Sequence, residues 1–274
     1  MKRLLTALVA IPLAFAAVFL LPPLAFFLVI VFLLDWAALE FIHLVRPLAP
    51  RAPLGALLVL VPLAAWGMAW ALGPGNGTGA GTPLLAAAAL LAVGCGSLVL
   101  FARTPVAEAV PALAVLCFGT PYFALPAASL YELQRHDPWV LFLLCAVVWL
   151  GDSAALYVGT AIGRHRLAAT VSPKKSWEGA IAGFAVSLAA TAAWSAWRLG
   201  RVDGTLLAVG AATAVAAQVG DLVESMLKRG AGVKDSGGVL PGHGGIFDRM
   251  DAMLFAAPTM LLGLLLTGLE IARR

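Results

Sequence analysis

Long apolar runs dominate this chain, and each is close to the length a helix needs to cross a bilayer. A spanning helix takes roughly 20 apolar residues, because the hydrocarbon core is about 30 Å thick and each helical residue rises about 1.5 Å. Such runs fall near residues 4–21, 24–45, 54–72, 83–101, 106–128, 139–163, 177–197, 204–228 and 247–271, which predicts nine spans. Backbone groups inside lipid must find partners within their own structure, so these runs read as helices. The expected fold is all-α: a polytopic integral membrane protein with about nine transmembrane helices. Composition agrees, since 62% of the residues are apolar, only 12% are charged and the mean hydropathy is +0.96. A soluble domain carries about 25% charged residues, so lipid has to cover part of this surface.

The opening MKRLLTALVAIPLAFAA has the cations, apolar stretch and small residues of a signal peptide. It runs straight into Pro22-Pro23 and a second apolar segment, so it reads as a retained first span. Prolines 12, 62, 111 and 126 fall in or near spans, where they kink helices without ending them, and Pro121 with Pro126 makes the fifth span a candidate re-entrant segment. Cys95, Cys117 and Cys145 lie in apolar runs with no zinc or redox spacing, and no disulfide is expected. The uncharged loop 73–82 lacks the Gly-Lys-Ser/Thr ending of a phosphate loop and reads as a flexible turn.

Basic residues set the orientation. With the N-terminus in the cytoplasm, Lys2, Arg3, Arg46, Arg51, Arg103, Arg164, Arg166, Lys174, Lys175, Lys228, Arg229, Lys234 and Arg249 face inward, 13 of the 18 Lys and Arg. Arg135, Arg198, Arg201, Arg273 and Arg274 remain outside, and an odd number of spans puts the C-terminus outside as well. Scarce lysine with abundant Ala, Leu, Gly and Arg points to a bacterial inner membrane.

The acidic residues are concentrated: seven of the 14, namely Asp152, Glu178, Asp221, Glu224, Asp235, Asp248 and Asp251, fall in three C-terminal segments. An ionised carboxylate near the bilayer centre costs about 2.5–3.5 kcal/mol on insertion scales, so such groups face protein, water or an ion. Asp152 sits inside an apolar span, followed by Gly159 and Gly163 at a four-residue spacing that lets another helix approach. A proline turn then carries Lys174 and Lys175 to the start of the next span, where ammonium groups and free backbone donors suit an anion. Downstream, Asp221, Glu224, Ser225 and Lys228 share one helical stripe, and Asp248 and Asp251 share another. Between them runs a loop with Gly237, Gly238, Pro241, Gly242, Gly244 and Gly245, together with Lys234, Asp235 and His243. Such a loop can bring backbone N–H groups close to a nucleotide. Carboxylates on two helices suit oxygen coordination of Mg²⁺ rather than zinc, and His243 reads as a phosphate or loop contact.

The stretch SMLKRGAGVKDSGGVLPGHGGIFDRMD, 225–251, resembles the signature of the phosphatidate cytidylyltransferase family and fills each of its fixed positions. The upstream SPKKSWEG, 172–179, is also similar, with Ser176 where the family often has Thr. Asp152 is followed by SAALY, so Tyr157 stands one position later than the family's tyrosine and takes no role from the resemblance. The specific likeness covers residues 149–258.

The resemblance implies transfer of CMP from CTP to phosphatidate, giving CDP-diacylglycerol and pyrophosphate, with Mg²⁺ and a second cation such as K⁺ as cofactors. It implies Asp221, Asp248 and Asp251 as metal carboxylates, with Asp152 beside them, and Asp221, Lys228, Lys234, Asp235, Asp248 and Asp251 as the catalytic set. Ser172, Lys174, Lys175, Ser225, Arg229, His243, Gly244, Gly245 and Arg249 are the expected substrate contacts. Residues 1–130 are expected to form a scaffold with the contacts of a homodimer, and 131–274 to carry a site facing the cytoplasm. No nucleic-acid partner is expected. A lipid kinase using CTP and a transporter with ion-carrying carboxylates are the competing readings, but no internal repeat suggests the latter.

Overall fold

The computed structural model describes residues 12–72, 81–237 and 244–269. It is a bundle of helices joined by short connections: α1 (residues 12–20), α2 (Pro23–Val45), α3 (Leu57–Ala71), α4 (Gly81–Phe101), α5 (Val106–His136), α6 (Pro138–Ile162), α7 (Trp177–Leu199), α8 (Gly204–Gly230) and α9 (Phe247–Thr267). Seven of the described helices are long and apolar enough to cross a membrane, and the helices fall where the apolar runs predict spans. The molecule is an integral membrane protein. The first eleven residues, with Lys2 and Arg3, lie outside the described residues, as do 73–80 of the glycine loop and the terminal Arg273 and Arg274.

Local chemistry sets the helix ends. Pro22 and Pro23 stop α1 and start α2, with proline at the first helical turn, where its missing N–H costs nothing. Asp137 caps α6 by accepting from the Trp139 N–H at 2.9 Å, and Asp203 caps α8 through Thr205 and Leu206 N–H groups at 2.9 and 3.1 Å. Ser176 does the same for α7, accepting from the Gly179 N–H.

The fifth span differs from the expected 106–128 segment. It is one continuous helix of 31 residues despite Pro111, Pro121 and Pro126, and it does not re-enter. At about 1.5 Å per residue it is roughly 46 Å long, more than a bilayer core requires. Its polar last turns are accommodated by tertiary partners: Gln134 donates to the carbonyls of Val18 and Leu21 at 3.3 and 3.1 Å.

A second difference is the segment before α7. The proline turn is part of a two-stranded antiparallel ribbon, β1 (Arg166–Ala168) with β2 (Ser172–Ser176), pairing Arg166 with Ser176 and Ala168 with Ser172. Pro173 drives its neighbour Ser172 toward extended backbone, and the strand continues until Ser176 turns the chain into α7.

Small residues bring α6 and α7 together. A Cβ on Gly179 would lie 2.6 Å from the Ala155 carbonyl oxygen, and one on Gly183 would lie 2.7 Å from that of Gly151. Gly179→Val is therefore expected to force the helices apart at a cost of roughly 1–3 kcal/mol, read as a lower Tm in detergent. Gly55→Ala, at a position with open space around it, is the control expected to melt like the parent. On the other side of α8, Gly220 meets the Asp251 carbonyl and the Phe255 ring of α9, which fixes the separation of two helices that both carry site carboxylates.

The two ends of the bundle are held differently. At one end Arg198 donates to Asp137 at 2.8 Å and lies over the rings of Trp139, Trp194 and Trp197, locking α6 to α7. At the other end the 46–53 connection meets the start of α5 through the Arg51 N–H and Glu108, and Arg229 at the end of α8 donates to the Val171 carbonyl. Beneath this second end, Phe41, Phe123 and Phe247 form a buried ring cluster with centroids 5.6–6.1 Å apart.

Candidate active site

The site is built at that second end, from the close of α8, the start of α9, the middle of α6 and the ribbon. Asp221 and Glu224 stand one turn apart on α8 and face Asp251 on α9. One carboxylate oxygen of each lies within 4.8 Å of the others. Gly220 makes this possible by letting α9 come close beside Asp221. Three carboxylates at that separation repel unless cations lie between or beside them.

Two lysines supply part of the compensation. Lys175 from β2 reaches Asp221 at 2.5 Å. Lys228, one turn beyond Glu224 on α8, contacts Glu224 at 2.7 Å and Asp248 at 2.5 Å. The first pair is partly open, whereas the Lys228, Glu224 and Asp248 side chains are 11%, 1% and 6% exposed. Glu224 Oε1 is buried and has no hydrogen-bond partner among the described residues. Asp152 on α6 adds another negative charge: its charged neighbours are Asp221 and Lys175, and it also acts on Asp251. Hard oxygen donors, an unmatched buried carboxylate oxygen and a surplus of negative charge suit a divalent cation such as Mg²⁺.

Lys174 and Lys175 part company in the structure. Successive strand residues point to opposite sides, so Lys175 turns toward Asp221 while Lys174 is exposed. Ser225 donates weakly to Asp221 at 3.5 Å. Ser172 is half-buried at the start of β2, and Lys234, Asp235 and Arg249 are exposed around the same end. Arg229 gives its guanidinium to the backbone, donating to the Val171 and Val233 carbonyls at 3.3 and 2.8 Å.

Asp248, expected among the metal carboxylates, has protein partners on both oxygens. Oδ1 takes Lys228, while Oδ2 accepts from the Ser236 N–H, the Ser236 hydroxyl and the Gly245 N–H at 2.8–3.0 Å. It ties Ser236 and Gly245 to α9, while Glu224 stands with Asp221 and Asp251 in the acidic cluster. Gly244 adopts a left-handed φ of 75°, which a side chain would resist. Gly238, Pro241, Gly242 and His243 lie outside the described residues.

Three residues near the site carry no role in the sequence reading. Glu224 shares the stripe of Asp221, and its burial beside Asp251 gives it its place. Tyr122 of α5 is buried, its hydroxyl has no hydrogen-bond partner among the described residues, and the Glu224 and Asp251 charges act on it. Glu40 of α2 is buried against the start of α9, accepting from the Ile246 and Phe247 N–H groups at 3.1 and 2.9 Å. The available signal was a carboxylate inside an apolar run, which names no partner. Glu178, also noted for its position, holds the turn before the ribbon by accepting from the Arg164 and His165 N–H groups and contacting the His165 ring at 2.6 Å.

Fold and site together define a polytopic membrane protein with a carboxylate and lysine centre at one end of its helices. Comparison with known proteins gives the family. The model of the family described as "Cytidylyltransferase family" matches residues 1–266. The chain belongs to the cytidylyltransferase family. Among its relatives is a phosphatidate cytidylyltransferase of Haemophilus influenzae, 41% identical over 136 residues, 46% of this chain and 47% of that protein. Proteins of the same name from Brucella suis and Bacillus subtilis are 40% identical over 154 residues and 42% identical over 128. These matches cover 53% and 46% of this chain and 54% and 48% of the relatives, so the chain spans about half the length of the curated relatives it matches.

Proposed function

We propose that this protein transfers CMP from CTP to phosphatidate, giving CDP-diacylglycerol and pyrophosphate. The observation that carries this reading is the meeting of Asp221, Glu224 and Asp251 with Lys175 and Lys228 at one end of the bundle. Two polyanions can react only where their charge is neutralised, and this arrangement provides both cation-holding carboxylates and ammonium groups. The named relatives point to the same pair of substrates.

In the reaction a phosphate oxygen of phosphatidate bonds to the α-phosphorus of CTP, and the bond to the β-phosphate oxygen breaks. The attacking oxygen is already anionic near neutral pH, so no strong base is needed. Asp221, Asp248 and Asp251 would serve Mg²⁺ with Glu224 beside them, and Asp152 is placed for a second cation such as K⁺. When bound, these ions would neutralise charge on the triphosphate and on the leaving pyrophosphate. Lys175 is positioned to exchange its contact with Asp221 for a phosphate oxygen, and Lys228 holds Glu224 and Asp248 in place. Lys174, Lys234 and Arg249 offer exposed charge to either substrate, and Ser172, Ser225, Gly244 and Gly245 with His243 and Asp235 would complete the substrate contacts. Arg229 contributes by joining the ribbon to α8.

The site opens to the cytoplasm of a bacterial inner membrane in this reading, with the N-terminus inside and the C-terminus outside. Residues 131–274 carry most of the chemistry, while residues 1–130 form the scaffold and the surface of a homodimer.

Purified protein given phosphatidate, Mg²⁺ and CTP labelled at the α- or the γ-phosphate provides the test. Label from the α-position is expected in the lipid, and γ-label in pyrophosphate. Entry of γ-label into the lipid would make the protein a kinase, and movement of neither label from a folded sample would remove the enzyme reading.

A further inference from the structure

We propose that Glu40, far from the site in sequence, is a positioning residue for it, acting through Ser236 and Asp248 on Lys228. The proposal rests on the reading above for its kinetic arm, and on geometry alone for its structural arm.

Helix α9 has no side-chain cap from its own N-cap residue, Ile246. An uncapped helix leaves its first N–H groups without partners, and burial makes that costly. Glu40, only 5% exposed, supplies the missing acceptors from α2: Oε1 takes the Ile246 N–H and Oε2 the Phe247 N–H. The positive end of the α9 dipole also stabilises the buried carboxylate.

The same carboxylate also meets Ser236, Gly237 and Gly245. The Ser236 hydroxyl lies 3.0 Å from Glu40 Oε2 and 3.0 Å from Asp248 Oδ2. A hydroxyl has one proton to donate, so the two acids share it. A Cβ on Gly237 would lie 2.8 Å from Glu40 Oε1, and one on Gly245 would overlap Oε2. Gly237 and Gly245 therefore both pack against Glu40. From there a continuous set of contacts runs through Ser236 and Asp248 to Lys228 and on to Glu224 of the acidic cluster. A shift of Glu40 moves the residues that hold Lys228, although the contacts of Glu40 itself are with Ser236, Ile246 and Phe247.

Glu40→Gln is close in shape but has one acceptor oxygen, so its NH₂ group must face one of the two α9 donors. It is expected to lower kcat by about 10–100-fold while KM for CTP and phosphatidate stays within about threefold. Hydrogen–deuterium exchange over 244–249 should accelerate, with α7 unchanged. Ser236→Ala removes only the bridge and should lower kcat in the same direction. The double variant should be no slower than the slower single one, since both interrupt one chain of contacts. Exchange over 244–249 equal to the parent's in Glu40→Gln would overturn the proposal, as would parental kcat in an active preparation or additive losses in the double variant. If the parent protein transfers no cytidylyl group, the enzyme reading fails on its own. The exchange comparison still decides whether Glu40 holds the loop.

Discussion

Asp221→Asn is expected to lower kcat for cytidylyl transfer by about 10³-fold or more while leaving the protein folded. Asparagine keeps the shape of the side chain but removes the negative charge that, with Glu224 and Asp251, makes the cluster a cation site. Little stability should be lost. The Asp221 and Lys175 side chains are 30% and 27% exposed, and an ion pair that open contributes about 0–1 kcal/mol. The labelled-CTP assay reads the first effect and a detergent Tm reads the second. Binding of Mn²⁺ as a paramagnetic substitute for Mg²⁺ should weaken in parallel. Activity near that of the parent would take Asp221 out of the cation site, whatever the fate of the other carboxylates.

Lys228→Met is expected to have the largest effect on stability, about 3–5 kcal/mol. The lysine joins two carboxylates that are almost completely buried, Glu224 at 1% and Asp248 at 6% side-chain exposure. Methionine matches the length of the stem but leaves both acids without their cation in a low-dielectric setting. Removing one partner from a buried pair costs far more than the pair itself contributes, because the remaining charge has neither water nor a counterion. Combining Lys228→Met with Glu224→Gln should recover part of the Tm but none of the activity, since the double variant removes one of the two uncompensated charges, and with it a cluster carboxylate. A single variant that melts like the parent would show that the network is not a stability element.

The contrast between these variants follows from where the helices place similar residues. Asp221 and Lys228 stand on the same α8 stripe, seven positions apart in the numbering, yet one is open to solvent on the ribbon side and the other is sealed beneath the start of α9. Helical spacing predicts a shared face. It does not predict that Asp248 turns its second oxygen to Ser236 and Gly245, or that Glu224 meets Asp221 and Asp251 in one acidic cluster. Those contacts are made where α9 begins, against Glu40 of α2 and the packed rings of Phe41, Phe123 and Phe247.

The ribbon gives the same lesson at shorter range. Lys174 and Lys175 are equivalent as a pair of charges before a helix, and only the extended backbone of β2 sends one inward and the other outward. The end of α5 gives it for polarity. Glu132, Gln134 and Arg135 read as a connection because hydropathy counts each residue by itself. Gln134, however, finds the open carbonyls of Val18 and Leu21, so the helix continues to His136.

The membrane class and the placement of the helices are legible in the residues alone. Those depend on runs and spacings within a few turns of chain: an apolar stretch must satisfy its own backbone in lipid, and residues three or four apart must share a face. Packing of the helices settles which carboxylates meet, that Lys175 pairs with Asp221 and Lys228 with Glu224 and Asp248, and that Glu40 accepts from N–H groups 206 and 207 residues further along the chain. Electrostatic and hydrogen-bonding partners act over a few ångströms of space, and separation in sequence carries no record of that distance until the helices have packed.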